Sequence, residues 1–260
     1  MTILYLFGVE DLYRQITTKF LSLQTFHISM EDLVFSTGSD VFDKLLSGYE
    51  GGVITTIYGP SGVGKTTACL LATIATLKAG KKVIYIDTEG GFSSLRFKQL
   101  TENINLDLDQ LFLLKPMSFS DQIKTIHRLK DLVNESIGLI VIDSISMHYR
   151  VALGNHDGVK GVNSELGLQI AHLVEITRKH NIPVLLTSQV YADFDERDNV
   201  KMVGGDIVKY GSKCILRLQK YKTMRKATII KHRSLPEEKS MLFSIIEAGF
   251  SFIEEDPIPQ

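Results

Sequence analysis

Nine consecutive residues constrain this chain more than any other feature: Gly59-Pro60-Ser61-Gly62-Val63-Gly64-Lys65-Thr66-Thr67. They follow an apolar, β-rich run over Val53–Tyr58 and open a helical pattern over Thr66–Lys78. Strand, glycine loop and helix in that order make the G-x-x-x-x-G-K-[ST] phosphate loop. Glycines let successive backbone N–H groups turn inward around phosphate oxygens, and the helix N-terminus adds the positive end of its dipole. Lys65 is expected to reach the β and γ phosphates of ATP, and the Thr66 hydroxyl to ligate Mg²⁺. A chance glycine-rich turn would leave the flanking strand and helix unexplained.

The rest of the chain supplies a sheet for that loop. Apolar runs recur at Val83–Ile86, Leu111–Leu114, Leu139–Ile142 and Val184–Thr187. Helical patterns alternate with them at Ser93–Thr101, Ser120–Asn134 and Ser164–His180. Strands apolar on both faces, alternating with helices, predict an α/β fold with a mostly parallel central sheet covered on both sides. After Gly205 the spacing tightens. Cys214, Leu216 and Leu218 alternate with Lys213 and Arg217, and two further strand-like runs follow, which predicts a C-terminal antiparallel extension. Residues 1–34 read as a short helical prelude, with Val9, Leu12, Tyr13, Ile16, Phe20 and Leu23 at helical spacing, before a core over 35–260.

Three strand ends carry polar groups suited to phosphate chemistry. Leu139-Ile140-Val141-Ile142 delivers Asp143, the expected carboxylate for Mg²⁺ beside Thr66. Val83-Ile84-Tyr85-Ile86 delivers Asp87-Thr88-Glu89 ahead of two glycines. There Glu89 is the candidate base that orients water, and Asp87 is nearer the strand. Val184–Ser188 ends at Gln189, an amide placed to sense the γ phosphate and pass its presence to the segment that follows.

These four strand ends, in this order, resemble those of the RecA-type recombinase ATPases, the archaeal and eukaryotic branch in particular. Ser36-Thr37-Gly38-Ser39 with Asp43-Lys44-Leu45-Leu46 resembles the branch's lead-in, and Gly204-Gly205-Asp206-Ile207 the end of its second DNA-binding loop. Asp87-Thr88-Glu89-Gly90 with Phe92 and Arg96 resembles its catalytic-glutamate segment. By that match Glu89 activates water and Arg96 stacks on adenine. The prelude is too short for the helix-hairpin-helix domain of full recombinases, so the resemblance is to the branch's short archaeal members. Phe26-His27-Ile28-Ser29 only approximates the Phe-x-x-Ala polymerisation clip. The resemblance implies a RecA-like core with weak ATPase activity, acting as a DNA-binding accessory of repair and homologous recombination without strand exchange of its own. Implied partners are single-stranded or branched DNA, a RadA-type recombinase, a Holliday-junction resolvase and a second copy as a homodimer.

The charge pattern bears on DNA. With 29 Lys+Arg against 30 Asp+Glu the net charge is −1, so only the distribution is informative. Between Asp206 and Glu237 there is no acidic residue, while Lys209, Lys213, Arg217, Lys220, Lys222, Arg225, Lys226, Lys231 and Arg233 all fall there. Local positive density of this kind suits phosphate-backbone binding; a solvated hairpin face is the bland alternative. Lys231-His232-Arg233 is the sharpest candidate, beside Lys209, Lys213 and Arg217. The pair Lys231 and Arg233 would otherwise reach a neighbouring subunit's γ phosphate, as a similar pair does in KaiC-like relatives, making a signalling ATPase or a nucleotide-gated scaffold the alternative reading. Segments 149–162 and 191–203 are polar and glycine-containing, and are expected to be long loops where the family's DNA loops lie. Cys69 and Cys214 give neither a disulfide framework nor zinc spacing, and no apolar run reaches membrane length. The expected setting is the cytoplasm, with no membrane partner and no metal beyond Mg²⁺.

Overall fold

A computed structural model describes residues 34–154, 158–192 and 200–253. The expected prelude and its Phe26–Ser29 segment lie outside the described residues, as do Arg197 and the rest of the 193–199 stretch. The elements run β1 (Val34–Phe35), α1 (Asp40–Leu46), β2 (Tyr49–Glu50), β3 (Ile54–Tyr58), α2 (Lys65–Lys78), β4 (Lys82–Asp87) and α3 (Ser94–Leu100). Next come β5 (Leu111–Leu114), α4 (Phe119–Leu132), β6 (Ile137–Asp143), α5 (Met147–Gly154), α6 (Val159–His180) and β7 (Val184–Ser188). The hairpin strands β8 (Val190–Ala192) and β9 (Val200–Met202) lead to α7 (Gly205–Gly211). The chain then adds β10 (Ser212–Tyr221), β11 (Met224–Lys231), β12 (Ser240–Ile246) and β13 (Gly249–Phe252).

One nine-stranded sheet organises them in the order β13-β12-β11-β10-β3-β7-β6-β4-β5. From β10 to β5 every pairing is parallel, and from β10 to β13 every pairing is antiparallel. Period-two alternation sorts the side chains. Ile57, Val83, Tyr85, Leu139, Val141 and Leu185 face a core shared with α1, α2 and α3. Ile54, Ile84, Ile86, Ile140, Ile142 and Leu186 face a second core shared with α4 and α6. Burying both faces is what makes these strands read as continuous apolar runs. Each fully buried aliphatic side chain contributes about 1.5–3 kcal/mol against exposure.

Caps set the helix limits where sequence periodicity could not. Ser118 receives the Asp121 N–H at 3.1 Å and starts α4, whose buried residues Gln122, Ile126 and Leu129 form one stripe. Among the described residues, no helix is long and apolar enough to cross a membrane.

One expectation is corrected. Segment 149–162 is not a long loop, because α5 runs to Gly154 and α6 begins at Val159. Tyr149 is buried, with Leu153 and Val162 packed against the same core, so this polar-looking stretch has a core to face. A short helix, α7, precedes the strand that carries Cys214, Leu216 and Leu218. The expected antiparallel extension runs from β10 to β13, and β10 joins it to the parallel sheet through β3, with Arg217 opposite Tyr58.

Candidate nucleotide site and basic surface

Sheet order brings the predicted strand ends into one row. β7 lies beside β3 with Ser188 opposite Tyr58, and β6 beside β4 with Asp143 opposite Asp87. Residues following β3, β7, β6 and β4 therefore emerge together at the C-terminal edge, where ligands of open α/β sheets bind. Gly59–Thr67 is here, with Lys65 opening α2. The Lys65 ammonium donates to the carbonyls of Gly59 and Pro60, each at 2.8 Å. Burial pushes its pKa down, while the charges of Glu89 and Asp143 push it up.

Asp143 is 3% exposed and held by hydroxyls. Thr187 donates to one oxygen at 2.5 Å and Tyr85 to the other at 3.0 Å, and the Thr66 side chain also bonds to it. Desolvation raises its pKa, and those three hydrogen bonds oppose the rise. A buried carboxylate beside the Thr66 hydroxyl offers the hard oxygen donors that suit Mg²⁺. The raised pKa means the folded chain binds more protons than the unfolded chain. The stability cost of the charged form therefore grows as pH rises from the unfolded value toward the folded one, and is fully present above it. Asp143→Asn is accordingly expected to raise the melting temperature of the ligand-free protein while abolishing Mg²⁺-dependent nucleotide binding. A calorimetric melt showing a lower midpoint would contradict this.

Glu89 and Gln189, chosen from different strands, touch. Gln189 Nε2 donates to Glu89 Oε1 at 2.9 Å, and Ser144 Oγ donates to the same oxygen. Asp87 is engaged elsewhere, accepting the N–H groups of Gly91 at 3.0 Å and Phe92 at 3.1 Å. Gln189 is also tied into the next segment: its N–H donates to Ser146 Oγ at 3.0 Å, and its carbonyl accepts from Val203 at 2.9 Å. Val203 directly follows β9, so the Glu89 contact and the root of the β8–β9 hairpin share one residue. Arg96 is placed at the C-terminal hairpin, donating to the carbonyls of Ile246 at 2.6 Å and Glu247 at 2.8 Å. Sequence reasoning missed Ser144, Thr187 and Tyr85; Ser144 adjoins Asp143 and Thr187 closes its apolar run, but the Tyr85 hydroxyl gave no signal within an apolar run.

The basic residues divide. Lys231 Nζ donates to the Lys209 carbonyl at 2.8 Å, and burial followed by the charge of Lys213 pushes its pKa down, with Lys209 adding to the same effect. Lys209, Lys213 and Lys231 therefore form one cluster of like charge. Arg217 lines a cleft of about 440 Å³ with Tyr58, Tyr191, Lys201 and Lys209 at the root of the β8–β9 hairpin. It also faces Glu238 at 3.9 Å. Two of the expected DNA contacts have protein partners in this fold. The His232 side chain is 3% exposed, and its Nδ1 accepts the N–H groups of Ser234 and Leu235 at 3.2 Å each. Arg233 gives Nε, at 2.7 Å, and Nη2 to the Glu50 carboxylate. Glu50 is thus the partner of Arg233, and the Ser234–Leu235 turn that of His232.

A mostly parallel sheet with a phosphate loop, a buried Asp143 behind Thr66 and a Glu89–Gln189 pair reaching across the end of β6 defines a RecA-like P-loop ATPase. The sequence profile of the Rad51 family matches residues 29–252. The "DNA repair and recombination protein RadB" of Methanoculleus marisnigri is 42% identical over 219 residues, covering 82% of this chain and 96% of the relative. That of Thermococcus sibiricus is 39% identical, covering 85% and 96%. The crystal structure of the RadB recombinase superposes with a TM-score of 0.72 at 39% identity, over 85% of this chain and all of that one. The chain belongs to the Rad51 family, in its RadB group.

Proposed function

We propose that this chain is an ATP- and DNA-binding accessory of DNA repair and homologous recombination, with weak Mg²⁺-dependent ATPase activity and no strand exchange of its own. It would act beside a RadA-type recombinase or a Holliday-junction resolvase on single-stranded or branched DNA, as a monomer or homodimer. The observation that carries this reading is the Glu89–Gln189 contact at 2.9 Å, because Gln189 also anchors the hairpin beside the basic cluster.

The site residues have distinct tasks in this reading. Mg²⁺ held by Thr66 and Asp143 would supply charge neutralisation at the β and γ phosphates. Backbone N–H groups of Gly59–Thr67 cradle the phosphates, and Lys65 exchanges its loop carbonyls for phosphate oxygens. That exchange gives up two existing hydrogen bonds, so part of the binding energy offsets their loss. Glu89 takes a proton from the attacking water through the carboxylate that Ser144 and Gln189 hold in place. Arg96 borders the base. The helical fold of most of 149–162 leaves less free backbone to hold two strands, which supports an accessory role.

DNA is assigned to Lys209, Lys213, Lys231 and the Arg217 cleft. The signalling alternative, with Lys231 and Arg233 serving a neighbour's nucleotide, is less favoured because Arg233 is paired with Glu50. Fluorescence anisotropy of labelled single-stranded DNA across salt, with and without MgATP, tests the assignment. The double variant Lys213→Ala/Lys231→Ala is expected to flatten the log–log salt slope by about 1.4, or about 0.7 per lysine. Failure of the wild type to bind at low salt would overturn the DNA reading.

A further inference from the structure

We infer that Arg225, on the antiparallel extension, is a positioning residue for the phosphate loop and raises its affinity for the nucleotide. The inference rests on the nucleotide-binding reading above. Four strands of the extension meet the loop at three points. At Gly59 the Leu218 carbonyl of β10 approaches so closely that a Cβ would lie 2.2 Å from its oxygen. At Gly64 the β12–β13 hairpin closes in, with Phe250 and Ile245 at 3.1 and 3.2 Å from where a Cβ would sit. Both ends of the loop are thus fixed by shape.

The middle is different. Ser61 and Gly62 are exposed, Gly62 has a φ of +76°, and a Cβ there would meet nothing within 4 Å. The contact from the extension is polar: Arg225 Nε donates to the Gly62 carbonyl at 3.1 Å. Nη1 donates to the Met224 carbonyl at 3.0 Å, which aims the guanidinium from its own strand. Among the described residues Arg225 forms no ion pair with a carboxylate, whereas Arg217 and Arg233 do. Its charge therefore stays uncompensated beside a loop built for polyphosphate.

Two effects follow. Holding the Gly62 carbonyl fixes the peptide plane whose N–H belongs to Val63, so the loop is ordered before phosphate arrives. A full positive charge a few ångströms from the apex adds attraction for a polyanion. Both act on ground-state binding and leave the water-activating carboxylate untouched, so the expected signature is a change in affinity without a change in the chemical step.

The test is isothermal titration of MgATPγS together with steady-state ATP hydrolysis, on the wild type, Arg225→Ala and Arg225→Lys, with melting temperature as the control for folding. Arg225→Ala is expected to weaken MgATPγS binding and raise KM by about five- to tenfold, with kcat within about twofold of wild type. Arg225→Lys keeps the charge but lacks the guanidinium fork, and is expected to recover part of the loss. Unchanged affinity in Arg225→Ala overturns the inference. So does a joint fall in kcat and melting temperature, which would mark general damage. A wild type that binds no MgATPγS would instead overturn the nucleotide reading itself.

Discussion

Glu89→Gln is expected to lower single-turnover ATP hydrolysis by about 10²–10⁴-fold while leaving MgATP affinity within about threefold of wild type. The substitution is nearly isosteric. An amide oxygen still accepts from Ser144 Oγ and Gln189 Nε2, so the side chain stays where those two donors hold it. What is lost is the second carboxylate oxygen and its capacity to take a proton. No neighbouring acid can replace it. Asp87 is occupied by the N–H groups of Gly91 and Phe92, and Asp143 is 3% exposed and enclosed by hydroxyls. Rapid-quench hydrolysis beside calorimetric binding separates the two quantities, and unchanged hydrolysis in the variant would remove Glu89 from the role of base.

Lys65→Ala carries the largest expected effect on binding, a loss of MgATP affinity of about 10²–10⁴-fold. That range corresponds to two hydrogen bonds from a charged donor at about 1.5–3 kcal/mol each. In the ligand-free fold the same two donors rest on the Gly59 and Pro60 carbonyls, so the ammonium is already aimed into the loop. Its lowered pKa gives the stability sign. The folded chain binds this proton less readily than the unfolded chain, so the charged lysine is a cost below its folded pKa, and stability rises as pH passes through that value. Removing the ammonium is therefore not expected to lower the melting temperature, although it removes the site. Calorimetry with MgATP and a thermal melt on the same sample measure both; retained affinity would refute the role given to Lys65.

Much of this site could be read along the chain. The phosphate loop is a local motif, with every residue that defines it inside Gly59–Thr67 and its strand and helix on either side. Asp143, Glu89 and Gln189 were each visible as a polar residue ending an apolar run, a pattern that survives because a buried strand can carry polarity only where it leaves the core. Helix ends were less legible. α6 begins at Val159, before the Ser164 where periodicity predicts its start, and α5 reaches Gly154, inside the predicted loop. The lysine stripe was legible as composition, but its partners were not: Glu50, 183 residues before Arg233, takes that side chain.

By itself, the sequence determined that a nucleotide site of this class would exist and which residues could serve it, because those choices are set by spacing of a few residues and by alternation along single strands. Only the tertiary structure decided which of them meet. The order β3-β7-β6-β4 puts Gln189 on Glu89 and Thr187 on Asp143, although these pairs lie 100 and 44 residues apart. It likewise turned His232 inward, paired Arg233 with Glu50, and brought Arg225 from a basic hairpin onto the apex of the phosphate loop, 163 residues away. Strand order and side-chain pairing depend on how whole layers pack over both faces of the sheet, and no local spacing encodes that.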